Sequence, residues 1–228
     1  MPHAPLLQIV NRLQSQYGAP PREEPEGPLE MVLWEIVAYL ADDATRTRAF
    51  RALKAKTACD PQRILDTPLA DLQHITRMGG SIAWADRAER LYTAAWLVLA
   101  EFDGDLASVL RMPPPKAKRA LMKFPMTGEP GAEKILLLCG AQRVLAFDSN
   151  GLRVMQRLGF GAENKSYSVG YRQVREAVLE DGDHDIEFLQ RAHKLLRMHG
   201  QGTCKITRPL CLACPLNRIC PSAQSRLT

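Results

Sequence analysis

Four cysteines in the last 25 residues constrain this chain more than anything else in it. They are spaced Cys204-x6-Cys211-x2-Cys214-x5-Cys220, close enough for their thiolates to converge on one centre. Two kinds of centre take four cysteines: a structural zinc ion or a single iron–sulfur cluster. Zinc ribbons use two close pairs on separate turns, and here only Cys211 and Cys214 make such a pair, which favours the cluster. Disulfides would need an oxidising compartment. The start, Met-Pro-His-Ala-Pro, lacks the basic and then apolar pattern of a secretory signal, so a cytoplasmic protein is expected. Cys59 and Cys139 stand alone and read as ordinary buried thiols.

The rest of the chain reads as helix. Apolar residues recur at spacings of three and four over 5–17, the mark of an amphipathic helix. A proline-rich stretch from Gly18 to Pro28 then reads as a linker. Further helices are expected at 29–40, 45–57, 68–77, 83–101, 113–123, 130–139, 149–158, 168–180 and 185–199. Strand-like alternation is scarce. No run approaches the ~20 apolar residues of a membrane span, so no membrane partner is expected. Lys and Arg number 30 against 25 acids, a net charge of +5, which suits an anionic partner.

The cysteine spacing, the approach His199-Gly200-Gln201-Gly202-Thr203 and the Cys214-Pro215 step resemble the cluster loop of the endonuclease III family. These are DNA glycosylases of the helix-hairpin-helix superfamily. The resemblance extends from about Pro28 to Cys220. It implies a [4Fe-4S] cluster on Cys204, Cys211, Cys214 and Cys220, with the basic loop residues Lys205 and Arg208 facing DNA phosphates. As surface charge, those two residues need no such role. The resemblance also implies an all-α fold of two helical domains with the active site in the cleft between them. Residues 25–145 would form a continuous middle domain with its hairpin at 124–129. Residues 1–24 would join 146–228 in a cluster domain whose loop is 204–220.

Phe124-Pro125-Met126-Thr127-Gly128 resembles the Leu-Pro-Gly-Val-Gly hairpin of the family. There a turn and a helix N-terminus aim several N–H groups at one phosphate. Met126, Thr127, Gly128 and Gly131 are the expected contacts, with Met126 standing where the family has its first glycine. The bifunctional members follow the hairpin with a lysine that attacks the sugar. The matching residue here is Pro130, so no strand cleavage is expected; Lys123 and Lys134 are near but out of register and read as solvent-facing.

Asp148 matches the catalytic aspartate of the family, and Asp148-Ser149-Asn150 resembles the Asp-x-Asn of its MutY-type and mismatch-specific branches. As a residue, it is equally a helix N-cap, and the two roles are compatible. Glu35 lies in the middle of a nearly all-apolar segment, 29–40. A poorly solvated carboxylate there would have a raised pKa and could act as a general acid; a Glu paired with an arginine is the other reading. The resemblance places it where MutY-type enzymes protonate the departing base. Tyr39 and Leu40 stand where that segment carries glutamines, so Leu40 is a candidate wedge or a core residue. Trp84, in the turn begun by Gly79-Gly80, is a candidate base-pocket aromatic or a core tryptophan.

The expected function is hydrolysis of the bond between sugar and a damaged or mismatched base flipped from duplex DNA. The expected protein is a monomer, cytoplasmic and associated with the nucleoid. A catalytically silent protein that binds damaged or abasic DNA is the first alternative. A glycosylase and lyase with a displaced lysine is the second.

Overall fold

A computed structural model describes residues 3–21, 25–164 and 166–227. Among the described residues the chain is all-helical and has no strand. No helix among them is long and apolar enough to cross a membrane. The chain divides into two compact units, Met1–Arg22 with Gln142–Thr228, and Glu23–Ala141. The expected boundary at residue 24 falls outside the described residues.

The continuous unit contains α2 (Gly27–Val37), α3 (Asp43–Thr57), α4 (Pro61–Asp66), α5 (Leu69–Met78), α6 (Trp84–Phe102), a 3-10 turn (Leu106–Arg111), α7 (Pro114–Leu121) and α8 (Glu129–Leu138). Its centre is α6, against which α2, α4 and α5 pack. Ala88, Ala94 and Ala95 are fully buried on α6, and side chains this small let neighbouring helices approach closely. Asp42 and Asp60 cap α3 and α4 by accepting from the N–H groups of Thr45 and Arg63. Helix α4 has no counterpart among the expected helices, although Asp60-Pro61 is an N-cap followed by a first-turn proline.

The discontinuous unit contains α1 (Leu6–Tyr17), α9 (Ser149–Arg157), α10 (Tyr167–Asp181), α11 (Ile186–Gly202) and α12 (Pro221–Leu227). Two 3-10 turns, Cys211–Ala213 and Asn217–Ile219, lie between α11 and α12. α9 packs against α10, α11 and α12, and α1 against α11. The approach of α9 to α11 needs Gly200, since a Cβ there would lie 2.7 Å from both Cβ and the carbonyl oxygen of Asn150. This contact sets the start of α9, where Asp148 stands.

Helix α2 is shorter than the apolar run 29–40 suggested. It stops at Val37, and Ala38 is extended. The cause is Arg87 of α6, a guanidinium with no exposed surface. It donates to the carbonyls of Val37 (2.7 Å), Thr76 (2.8 Å), Gly79 (3.4 Å), Ile82 (3.1 Å) and Gly80. Val37 O, which a continuing helix would use internally, is thus taken. Gly79 completes the junction, because a Cβ there would lie 2.1 Å from Val37 O. One buried cation therefore ties the end of α2 to the loop between α5 and α6.

Candidate active site and cluster loop

Asp148 caps α9. Its Oδ1 accepts from Gly151 N–H at 2.8 Å. Its Oδ2 accepts from Arg197 Nη1 at 2.6 Å and from Asn150 Nδ2 at 3.2 Å. Burial works against the charge of this carboxylate. Arg197, the Gly151 N–H, the nearby His193 and Asn150 outweigh burial and hold its pKa below the ordinary value. The group is therefore an anion at neutral pH, as an N-cap beside a guanidinium should be. Arg197 went unnoticed in the sequence because it lies 49 positions away and carries no local motif.

Glu35, in the other unit, is neither deeply buried nor unpartnered. Its Oε1 lies 2.6 Å from Lys134 Nζ. Lys134, a lysine of α8, is thus a partner of Glu35. The carboxylate does have a cationic partner, and it is α8 that brings this lysine to α2. The reading of Lys134 as solvent-facing is corrected, since its side chain is only 17% exposed. Lys123 does face solvent and pairs with Glu101.

The hairpin joins α7 to α8. Met126 adopts φ 60°, the left-handed region that glycine enters most easily. The backbone turn is thus present with a side chain where glycine was expected. Gly128 is extended, and a Cβ there would meet nothing closer than Pro130 Cδ at 3.9 Å. A Cβ on Gly131 would meet only Thr127 Cγ2, at 3.6 Å. Packing within the protein therefore requires neither glycine. α8 has no side-chain cap at its N-terminus, and Pro130 sits in its first turn. Thr127 is buried. Glu129, in the same turn, is paired with Lys118 at 2.6 Å.

The thiols of Cys204, Cys211, Cys214 and Cys220 all line one cavity in the discontinuous unit. Among the described residues no three His, Cys, Asp or Glu side chains are grouped so as to hold a metal ion. N–H donors reach two of the four sulfurs. Arg157 Nη1 donates to Cys204 Sγ at 3.3 Å, and Leu216 N–H donates to Cys214 Sγ at 3.4 Å. Burial pushes the Cys214 thiol up to about 11 and raises Cys220 as well. Burial also brings His199 down to about 4, so its ring is neutral. The ring bridges Tyr17 and the cysteine loop, with Nδ1 2.8 Å from Tyr17 Oη and Nε2 3.6 Å from Cys214 Sγ. Arg153 links the loop to α9 by donating to the carbonyls of Cys204 (3.0 Å) and Gly200 (2.8 Å) and to Asn150 Oδ1 (3.0 Å). Lys205 and Arg208 are exposed on the loop.

No family model matches the chain. It is 24% identical to endonuclease III of Bacillus subtilis (strain 168) over 200 residues, 87% of this chain and 83% of that one. Endonuclease III of Sulfolobus acidocaldarius is 30% identical over 123 residues, 54% of this chain and 52% of its own. A trapped endonuclease III–DNA covalent intermediate superposes with a TM-score of 0.78 at 20% identity, covering 99% of this chain and 100% of that one. The fold is that of the endonuclease III-like DNA glycosylases. A thermostable thymine-DNA glycosylase shares it, with a TM-score of 0.74 at 17% identity over 96% of this chain and 97% of that one.

Within this endonuclease III-like fold the remaining candidates are on the surface or half-buried. Tyr39 and Leu40 follow the clamped end of α2. Leu40 is 77% exposed with φ 50°, so it is not a core residue. Trp84 begins α6 rather than lying in the preceding turn. It is half-buried, with the Arg77 guanidinium 5.6 Å above its ring.

Proposed function

We propose that the chain is a DNA glycosylase that hydrolyses the base–sugar bond of a damaged or mismatched nucleotide flipped out of duplex DNA, without lyase activity. One observation carries this reading: on an endonuclease III-like fold, Asp148 is held as an anion at a helix N-terminus by Gly151 and Arg197. A fixed negative charge is what a developing sugar cation needs. Glu35 is the proposed proton donor to the leaving base, a role that requires its ion pair with Lys134 to open so that the carboxyl can first take up a proton. Pro130 supplies no amine, and Lys134 Nζ is already engaged with Glu35. Both features favour simple hydrolysis over Schiff-base chemistry.

The hairpin backbone of Met126, Thr127, Gly128 and Gly131 is proposed to take one DNA phosphate, and Lys205 and Arg208 others. Tyr39 and Leu40 would enter the stack vacated by the flipped nucleotide, with Trp84 near the base. The resident cofactor is proposed to be a [4Fe-4S] cluster on Cys204, Cys211, Cys214 and Cys220. The fit rests on the shared cavity and on the N–H donors aimed at sulfur. Metal binding drives the deprotonation of thiols that burial otherwise keeps neutral. Bound there, a cluster would cross-link the loop that Arg153 and Arg157 tie to α9. The protein would act as a monomer on DNA in the cytoplasm.

Arg197 favours a second reading. A guanidinium 2.6 Å from Asp148 also compensates the charge that catalysis would use, as a protein that binds damaged DNA without turnover could tolerate. Incubation with a panel of lesion and mismatch duplexes separates the two. Free base and an intact abasic strand, with no borohydride-trapped adduct, are expected. Tight binding of lesion duplexes without base release would favour the second reading. A trapped adduct would contradict the monofunctional assignment and point to Lys134 or Lys123.

A further inference from the structure

Beside Asp148 stands an aromatic side chain that the proposed chemistry does not use. Tyr167 is the first residue of α10, and it is 42% exposed. Its hydroxyl donates to the carbonyl of Phe147, the residue before Asp148, at 3.2 Å. Its ring stacks on Tyr171, with centroids 6.1 Å apart and 28° between the planes. Tyr171 is itself buried and meets Phe147 edge-on at 5.9 Å. Burial, and after it the charge of Asp148, raise the Tyr167 phenol above its ordinary pKa. The hydroxyl is thus anchored on the backbone one residue before the carboxylate.

A tyrosine that merely covers surface needs neither of these anchors. The hydroxyl bond and the stack fix a side chain that has only two torsions, yet much of its surface stays open. Rigid aromatics with open surface lose little freedom on binding. Nucleobases stack on such rings for about 1–3 kcal/mol each, whatever the base, because every base has a π-face.

We propose that Tyr167 is a stacking platform for the base of the extruded nucleotide, placed so that Asp148 addresses the attached sugar. This rests on the glycosylase reading, in which Asp148 faces the sugar. It adds a contact that acts on the base and is blind to the backbone.

The test compares three duplexes of one sequence: fully paired, carrying a single mispaired 2-aminopurine, or carrying a tetrahydrofuran abasic site at that position. A mispaired base is cheap to extrude. The wild type should bind the last two more tightly than the first. Tyr167→Ala should weaken binding of the 2-aminopurine duplex by about 5- to 150-fold, the factor that matches one stacked base. Its affinity for the tetrahydrofuran duplex, which has no base to stack, should be unchanged. Tyr167→Phe should retain most of the affinity, and the 2-aminopurine fluorescence quenched by the wild type should reappear with the alanine variant. Tyr167→Leu keeps apolar bulk without a π-face, and it should repeat the alanine result if the alanine variant is poorly folded. Equal weakening on both duplexes, or none on either, would overturn the proposal and leave the glycosylase reading standing. A wild type that does not distinguish either modified duplex from the paired one would overturn that reading, and this inference with it.

Discussion

Replacing Arg87 with methionine tests how the exposed Tyr39–Leu40 turn is held. Methionine keeps much of the volume and donates nothing. The substitution strips hydrogen bonds from the carbonyls of Val37, Thr76, Gly79, Gly80 and Ile82. A buried acceptor left unpaired costs about 1–3 kcal/mol. Five of them at mid-range would cost roughly 10 kcal/mol if all stayed dry, and two effects reduce that sum. Water reaches the carbonyls nearest the surface, and removal of the cation ends the desolvation that lowers the Arg87 pKa. A net loss of about 3–5 kcal/mol remains, equivalent to two carbonyls left buried and unpaired. Against a typical total stability of about 5–15 kcal/mol, such a loss is easily resolved. Arg87→Lys keeps the charge with fewer donors and should fall between the two. Urea unfolding with an unchanged m-value measures the difference. Hydrogen exchange should show lost protection at residues 37–40 and 79–82 before it is lost elsewhere. A methionine variant within about 1 kcal/mol of the wild type, with those amides still protected, would refute the clamp.

Two further outcomes follow from the hairpin and from Asp148. Met126→Gly removes a left-handed strain of about 1–2 kcal/mol and forfeits about 1 kcal/mol of side-chain packing. Stability should therefore change little while duplex DNA affinity rises, and weaker binding would contradict phosphate capture at this turn. Asp148 has a folded pKa below its unfolded value of ~3.9, so its contribution to stability is present above that value and is lost as pH falls through the folded one. Arg197→Gln removes the largest influence that lowers it, so the acid loss of stability should begin at higher pH. Unfolding midpoints between pH 2 and 6 that coincide for the two proteins would contradict the pairing. Iron and sulfide approaching four per chain are expected from the cluster assignment, and stoichiometric zinc in a colourless protein would contradict it.

The helical architecture was largely legible because amphipathic spacing and proline breaks are local signals. The capping role of Asp148 was legible for the same reason. Its partner Arg197 was not, because it comes from α11 through packing that depends on Gly200. Glu35 shows the limit from the other side. Its apolar neighbours in sequence left open whether it was isolated or paired, and α8 supplies Lys134 from 99 residues away. The early end of α2 was hidden similarly, since Arg87 is 50 residues from the carbonyl it captures. Periodicity reports which face a helix buries, and it is silent on which single charge will arrive there.

Base release by wild type and Asp148→Asn, measured side by side without alkali on the same lesion panel, tests the central claim most directly. Asparagine keeps the capping acceptor toward Gly151 and loses the charge. The variant should therefore fold, bind the lesion duplex as the wild type does, and release base at least about 100-fold more slowly, the loss typical when one electrostatic stabiliser is removed. Release by Asp148→Asn at the wild-type rate would contradict the assignment of this carboxylate to the chemistry.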